Sequence, residues 1–300
     1  MDFLYEIIRS PIMEMGKSGT IPSFFQYAFV VNALLCSCIA GPLLGGIGTM
    51  VVTKRLAFFS QAVGQAALTG VAIGVVLGEP VTAPYASLFG FCILFALAMN
   101  YTRNRTQMSP DTIIGVFLSI SLAVGACTLL YVTGKVNMHV LDNILFGSIL
   151  TVNSTDMNVI LLIGAGCLLL GTPLYNKMLL ASFNPSLAVV RGINAKLYDY
   201  IFIMMITVIT VACLKIVGAI LVEALFIIPA AAARNICRSM RGLFFCSVAI
   251  ATTSCILGII LPMQYDLPVP SGGAIILVAS TFFAITALFR VISGSHNQAL

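Results

Sequence analysis

The residue best placed to do chemistry in this 300-residue chain is Glu223, within the apolar stretch KIVGAILVEALFIIPAAAAR at residues 215–234. A carboxylate at bilayer depth costs roughly 3 kcal/mol on insertion scales, so such groups usually face protein or water and often mark a transport path. Pro229, six residues later, lacks an N–H and deprives the carbonyl of Leu225 of its usual helical partner. The pattern indicates either a cation pathway that uses Glu223 or a kinked core helix with a protonated or paired Glu223.

Two amide side chains, Gln61 and Gln65, lie one helical turn apart in the segment AFFSQAVGQAALTGVAIGVVLG, residues 57–78. Three glycines spaced four residues apart form a stripe roughly 160° away around the same helix: Gly70, Gly74 and Gly78. Such a stripe lets a neighbouring helix approach closely. The glutamines then lie on a different face of the helix. There they either point towards a polar interior or form hydrogen bonds between helices.

The elements that must position these side chains are membrane spans. Hydrophobic residues make up 60% of the chain and charged residues 8%, whereas soluble domains carry about 25% charged residues. At ~20 residues per span, the composition predicts an all-α polytopic membrane protein of eight or nine transmembrane helices. The apolar runs lie at 24–52, 57–78, 81–101, 112–133, 157–176, 198–214, 217–234, 241–262 and 271–291.

The basic residues sort between the two sides of these spans. Alternating sides from the first span places eleven Lys and Arg residues on one side: Lys54, Arg55, Arg103, Arg105, Lys177, Arg191, Lys196, Arg234, Arg238, Arg241 and Arg290. Four fall on the other side: Arg9, Lys17, Lys135 and Lys215. The first side is then cytoplasmic and the N-terminus lies outside. This loop bias explains the net charge of +5, so we expect membrane lipid around the chain and no nucleic-acid partner.

The chain divides into an N-terminal extension at 1–23, able to form a surface helix, a transmembrane domain at 24–292 and a short tail at 293–300. We expect no cleavable signal peptide, because the first apolar run is too long and begins after Asp2 and Glu6.

A short helix is predicted on the cytoplasmic side, in ASFNPSLAVVRGINAK between the fifth and sixth spans. Asn184 can cap it, Pro185 suits its first position, and Gly192 suits a left-handed terminator. These signals alone favour an ordinary loop helix.

Other motifs exclude functions. The MGKSG at 15–19 lacks the first glycine of a phosphate-binding loop, since that position is Pro11, so any ATP must be used by a partner. His139 and His296 lie outside every predicted span, which excludes a buried imidazole metal site within this chain. The nine cysteines are read as small apolar fillers, eight of them within spans and Cys237 in a cytoplasmic loop.

Six segments together resemble the membrane permease of ABC-type manganese/zinc/iron importers: KRLAFFSQAVGQAALTGVAIG, DTIIGVFLSISLAVG, LDNILFGSILTV, NPSLAVVRGIN, VGAILVEALFIIPAAAAR and YDLPVPSGGAIILVA. The resemblance covers residues 30–290 in order. It implies a bacterial inner-membrane subunit that pairs with a second permease, joins cytoplasmic ATPases and receives metal from an extracytoplasmic binding protein. It also implies that 185–192 is the coupling helix, with these residues at the ATPase: Asn184, Pro185, Ser186, Leu187, Arg191 and Gly192.

The chain departs from the family where metal ligands are expected. The family usually carries Asp and His at the positions of Gln61 and Gln65, often an acid at Ser148 and at Ser186, and a small residue at Glu223. Gln offers a neutral oxygen that suits hard cations and suits zinc poorly. Two explanations stay open: the acid has moved to another helix, or this subunit has lost its site and pairs with a permease that kept one.

We therefore expect a permease that translocates a divalent manganese, iron or zinc ion by alternating access, with no permanently bound cofactor and no enzyme active site of its own. Gln61, Gln65 and Glu223 would line the pathway and contact the metal. The alternatives are an ion-coupled secondary transporter or channel with Glu223 as relay, an ABC importer of a metal chelate or vitamin, and a membrane scaffold that transports nothing.

Overall fold

The computed structural model describes residues 9–11, 13–14, 22–79, 85–106, 108–132, 154–183, 185–265 and 269–297. Regular structure in these ranges is helical throughout. A single turn of 3-10 helix at Ser23–Gln26 precedes ten α-helices. They are α1 (Ala28–Thr53), α2 (Phe59–Val76), α3 (Tyr85–Thr106), α4 (Pro110–Val132), α5 (Ser154–Phe183), α6 (Pro185–Val190), α7 (Ala195–Val217), α8 (Ala219–Ile236), α9 (Met240–Gln264) and α10 (Ser271–Asn297).

All ten helices except α6 are long and apolar enough to cross a membrane, which gives nine candidate spans in the described part of the chain. The nine spans predicted from hydropathy are confirmed, with ends that differ by a few residues. The first span begins at Ala28, and α10 continues past the predicted boundary at 292 to Asn297. Of the N-terminal extension, residues 9–11 and 13–14 are helical.

The sixth and seventh runs are separate helices. The break lies at Gly218, whose φ of 90° is in the left-handed region that favours glycine. The predicted apolar runs end at 214 and resume at 217, but α7 continues to Val217. Beyond the break, α8 runs through Pro229 without interruption, and the side chain of Leu225 is buried.

Packing divides the chain into two compact units. The first comprises Met1–Thr49, Ser148–Leu161 and Ala224–Leu300, and the second comprises Met50–Gly147 and Leu162–Glu223.

In the second unit, α2 is the central helix and packs against α3, α4 and α7. A Cβ added at Gly70 would lie 3.2 Å from the carbonyl oxygen of Ser87, so this glycine permits the close approach of α3 that was predicted. Gly78 was wrongly assigned to the same packing stripe. Its φ is 89° and an added Cβ would meet nothing within 4 Å, so Gly78 follows the helix as a terminator.

In the first unit, α9 packs against α10, and glycines again set how closely helices approach. A Cβ added at Gly258 would lie 2.5 Å from the Cα of Ile275. A Cβ added at Gly48 would lie 2.3 Å from the carbonyl oxygen of Phe226. Such crossings suit a membrane, where association relies on van der Waals packing of small residues.

Candidate metal pathway and coupling helix

Glu223 lies in the second turn of α8, four residues after Ala219, and is half-buried. Both ion pairs found among the described residues involve Asp199, and neither reaches Glu223. The carboxylate therefore has no basic side chain bound to it in that part of the chain.

Gln61 and Gln65 occupy a distinct strip of α2. Every residue from Phe59 to Ala72 is buried except these two glutamines, which are partly exposed. The apolar positions of the helix are thus covered by neighbouring helices. The amide groups lie on a side of α2 that the rest of the chain covers less completely. This arrangement leaves room for polar or hydrated contacts at the glutamines.

Gly64 brings the junction of α7 and α8 next to this strip. A Cβ added at Gly64 would lie 3.5 Å from the Cβ of Ala219 and 3.7 Å from the Cδ1 of Leu214. Gly64 directly precedes Gln65, and Ala219 precedes Glu223 by one turn. The fold therefore brings together the segments that carry the three predicted pathway residues, within the second unit.

Within the described ranges, no three or more His, Cys, Asp and Glu residues are close enough to hold a metal together. His139 and Ser148 lie outside those ranges. A cation beside Glu223 would draw its other ligands from amides, carbonyls, water or another chain.

The short helix α6 forms where it was predicted, over Pro185–Val190. Gly192 follows it with φ of 70°, and its N–H donates to the carbonyl of Val189 at 2.9 Å, so the predicted terminator is confirmed. Asn184, the predicted cap, lies outside the described residues.

The surface of α6 is unusually apolar for a loop helix. Ala188 is buried and α6 packs against α7, whereas Leu187, Val189 and Val190 are 50%, 68% and 83% exposed. Ser186 and Arg191 are exposed beside them. Three exposed aliphatic side chains on a six-residue helix form an apolar patch flanked by polar groups, which is typical of a protein contact surface.

An ion-pair cluster on α7 was missed by the sequence analysis. The carboxylate of Asp199 binds the Nζ of Lys54 through Oδ1 and lies 3.3 Å from Nη2 of Arg103 through Oδ2. Burial lowers the pKa of Lys54, and the Asp199 carboxylate opposes that shift. The available signal was an acid at the start of a predicted span, on the side where most basic residues collect.

A family model described as the ABC 3 transport family matches residues 26–290. The chain belongs to the ABC 3 transport family. The family identified from the six sequence segments is confirmed, and so is the fold class.

Two curated relatives and one solved structure illustrate the likeness. The manganese transport system membrane protein MntC of Listeria monocytogenes is 30% identical over 91% of this chain and 95% of that protein. The high-affinity zinc uptake system membrane protein ZnuB of Haemophilus influenzae is 32% identical over 88% of this chain and 98% of that protein. The structure of PsaBC from Streptococcus pneumoniae in complex with Fab matches with a TM-score of 0.74 and 30% identity, covering 87% of this chain and 91% of that one.

The family and the nine spans together make the protein a multi-pass protein of the bacterial inner membrane. Manganese and zinc both occur in the names of these relatives, and iron does not.

Proposed function

We propose that the chain is the membrane permease subunit of an ATP-driven importer for a divalent transition metal, manganese or zinc. The observation that carries the proposal is the family match over residues 26–290, joined to relatives whose names specify manganese transport and zinc uptake. ATP would be hydrolysed by a separate cytoplasmic subunit, and metal would arrive from an extracytoplasmic binding protein. A second permease, identical or different, would complete the pathway.

Gln61, Gln65 and Glu223 are proposed to line that pathway. Spans two and seven run in opposite directions across the membrane, because successive spans alternate. Ala219 packs beside Gly64, and a helix rises 1.5 Å per residue. Glu223, four residues beyond Ala219, is then about 6 Å nearer the cytoplasm and level with the turn of α2 that carries Gln61.

The oxygen donors of Glu223 and the glutamines favour manganese over zinc. Carboxylate, amide carbonyl and water suit hard cations, whereas zinc prefers imidazole and thiolate. Among the described residues no group of three or more His, Cys, Asp and Glu side chains that could hold a metal includes Glu223. A zinc importer would therefore need nitrogen or sulfur ligands from another permease subunit.

The apolar surface of α6 is proposed to be the contact with the ATPase. Leu187, Val189 and Val190 would be covered by that subunit, and movement of α6 would repack the spans during alternating access. The exposure of these side chains supports a docking role.

Glu223→Gln tests the pathway. It keeps the side-chain shape and removes the charge. A charge pair at 4 Å is worth about 4 kcal/mol at an effective dielectric constant of 20, so we expect metal uptake to fall by at least about tenfold. The assay is ATP-dependent uptake of radiolabelled manganese and zinc into proteoliposomes that contain the complete importer.

Glu79→Gln is the matched control. Glu79 follows α2 and accepts a hydrogen bond from the Oγ of Ser87 at 2.7 Å, which a glutamine oxygen can also accept. Normal uptake in Glu223→Gln would remove Glu223 from the pathway. Uptake by the wild-type protein that follows an ion gradient and ignores ATP would instead indicate a secondary transporter.

A further inference from the structure

The Asp199 cluster joins three separate parts of the second unit through one carboxylate. Lys54 lies in the turn between α1 and α2, Arg103 lies in the last turn of α3, and Asp199 lies near the start of α7. The two oxygens of Asp199 are used separately, one for each cation. Lys54 also lies over the ring of Phe202 on α7, 4.8 Å from its centroid.

The cluster is placed between the coupling helix and the proposed pathway. Gly192 ends α6, Asn194 caps α7, and Asp199 follows on the next turn of the same helix. On the other side, Lys54 precedes the start of α2 at Phe59, and that helix carries Gln61. A displacement of α6 that moves the start of α7 therefore acts directly on the segment leading into α2.

Because the three side chains are largely buried, the two ion pairs of Asp199 depend on the relative positions of the segments that carry them. The side chains of Lys54, Arg103 and Asp199 are 7%, 14% and 29% exposed. Exposed ion pairs contribute little because water and salt replace the partner, but removing one partner of a buried pair leaves an uncompensated charge. When Asp199 moves, Lys54 and Arg103 must therefore move with it, because otherwise their buried positive charges would be left without a counter-charge. A solvated ion pair would separate at little cost.

We propose that Asp199 is a positioning residue that transmits movement of α6 to the start of α2 and the end of α3. This inference rests on the proposed function. The cluster holds the α1–α2 turn and α3 to α7, so that the ATP-driven rearrangement of the coupling helix changes the position of Gln61. In this role, the side chains of Lys54, Arg103 and Asp199 do not contact the transported metal.

The test measures metal transported per ATP hydrolysed, in the complete importer reconstituted into proteoliposomes with manganese or zinc. Asp199→Asn keeps the shape and removes the charge. We expect the complex with the ATPase to form and ATP hydrolysis to stay within about twofold of wild type. Metal transported per ATP should fall at least about fivefold, the lower end of typical coupling between sites.

Two variants serve as controls. Asp111→Asn removes an exposed acid from the first turn of α4, on the same predicted side of the membrane, and should leave the ratio unchanged. Asp199→Glu restores the charge on a longer side chain and should recover most of the coupling.

A fourth variant covers the case in which Asp199→Asn fails to fold. Asp199→Asn combined with Lys54→Met and Arg103→Met removes the carboxylate and both cations, so the cluster leaves no unpaired charge buried. This triple variant should assemble and remain uncoupled. Full metal transport per ATP in this variant would overturn the proposal.

Three further outcomes are decisive. If uptake, ATP hydrolysis and yield of folded protein fall in the same proportion in every Asp199 variant, the cluster is a structural staple and the inference is wrong. If the wild-type importer shows no ATP-dependent uptake of either metal, the proposed function fails first. Transport by wild type and Asp199→Asn at the same metal-to-ATP ratio refutes only the inference.

Discussion

Replacing Gly258 with alanine is expected to destabilise the protein by forcing α9 and α10 apart. A Cβ added at Gly258 would lie 2.5 Å from both the Cα and the Cγ1 of Ile275, and 2.7 Å from its backbone nitrogen. Carbon atoms in good contact are about 3.5–4.0 Å apart. Because two of the three clashing atoms belong to the backbone, a change of rotamer at Ile275 cannot relieve the contact.

The size of the effect follows from two opposing contributions. The helices must separate locally by about 1 Å or more, and overpacking of this kind costs typically 1–3 kcal/mol. Because the clash is with backbone, we take the upper end, about 3 kcal/mol. Alanine recovers up to about 1 kcal/mol of helix propensity relative to glycine. The net loss of about 2 kcal/mol corresponds to a fall in Tm of about 3–4 °C for a chain of this size.

The measurement is the apparent Tm of the detergent-solubilised protein, followed by fluorescence-detected size exclusion after heating. The matched control is Gly90→Ala on α3, where an added Cβ would meet nothing within 4 Å. Gly90→Ala should keep the wild-type Tm or raise it by up to about 2 °C, because alanine gains up to about 1 kcal/mol of helix propensity. A Tm for Gly258→Ala within 2 °C of wild type would show that the two helices are not held by this close approach.

Other substitutions test the coupling helix, the topology and a cap. Gly192→Val should reduce stimulation of the partner ATPase, because a β-branched residue disfavours φ of 70°, whereas Gly192→Asn, which tolerates that region, should retain it. In a cysteine-depleted background, Ser186→Cys should react with a membrane-impermeant maleimide only from the cytoplasmic side; labelling in intact cells would reverse the assigned orientation. Ser239→Ala should lower stability by about 1 kcal/mol, seen as a lower Tm, because the Ser239 Oγ accepts the Gly242 N–H at 3.2 Å; an unchanged Tm would show that this cap is dispensable.

Much of the architecture was predictable from local sequence. Hydropathy located all nine spans, since a span requires only an apolar stretch of sufficient length. The proline at the first position of α6 and the glycine after the helix predicted it, because both act through their own backbone dihedral angles. The sequence placed the gap between these two spans at residues 215–216, around Lys215, and the helix break lies at Gly218, since a charged residue marks the end of an apolar run and not the end of a helix.

The glycines show a limit of prediction from local sequence, because their spacing does not reveal which of them contact another helix. Gly70 and Gly78 belong to one sequence pattern, yet Gly70 contacts α3 while Gly78 follows α2 with φ of 89°. Gly258 has no glycine four residues away on either side and still lies at a very close crossing. Whether a glycine is used for contact or for its dihedral angle depends on which helix is placed beside it.

Some features of the candidate site were likewise predictable from the sequence, and others were not. The sequence by itself determined that a carboxylate and two amides lie in membrane spans and that a short helix follows the fifth span, because composition and spacing along one helix decide those features. Only the tertiary structure placed Gly64 against Ala219 and joined Asp199 to Lys54, 145 residues away. Ion pairs and close approaches depend on distances across the fold, and hydropathy, capping and periodicity carry information only about neighbours along the chain.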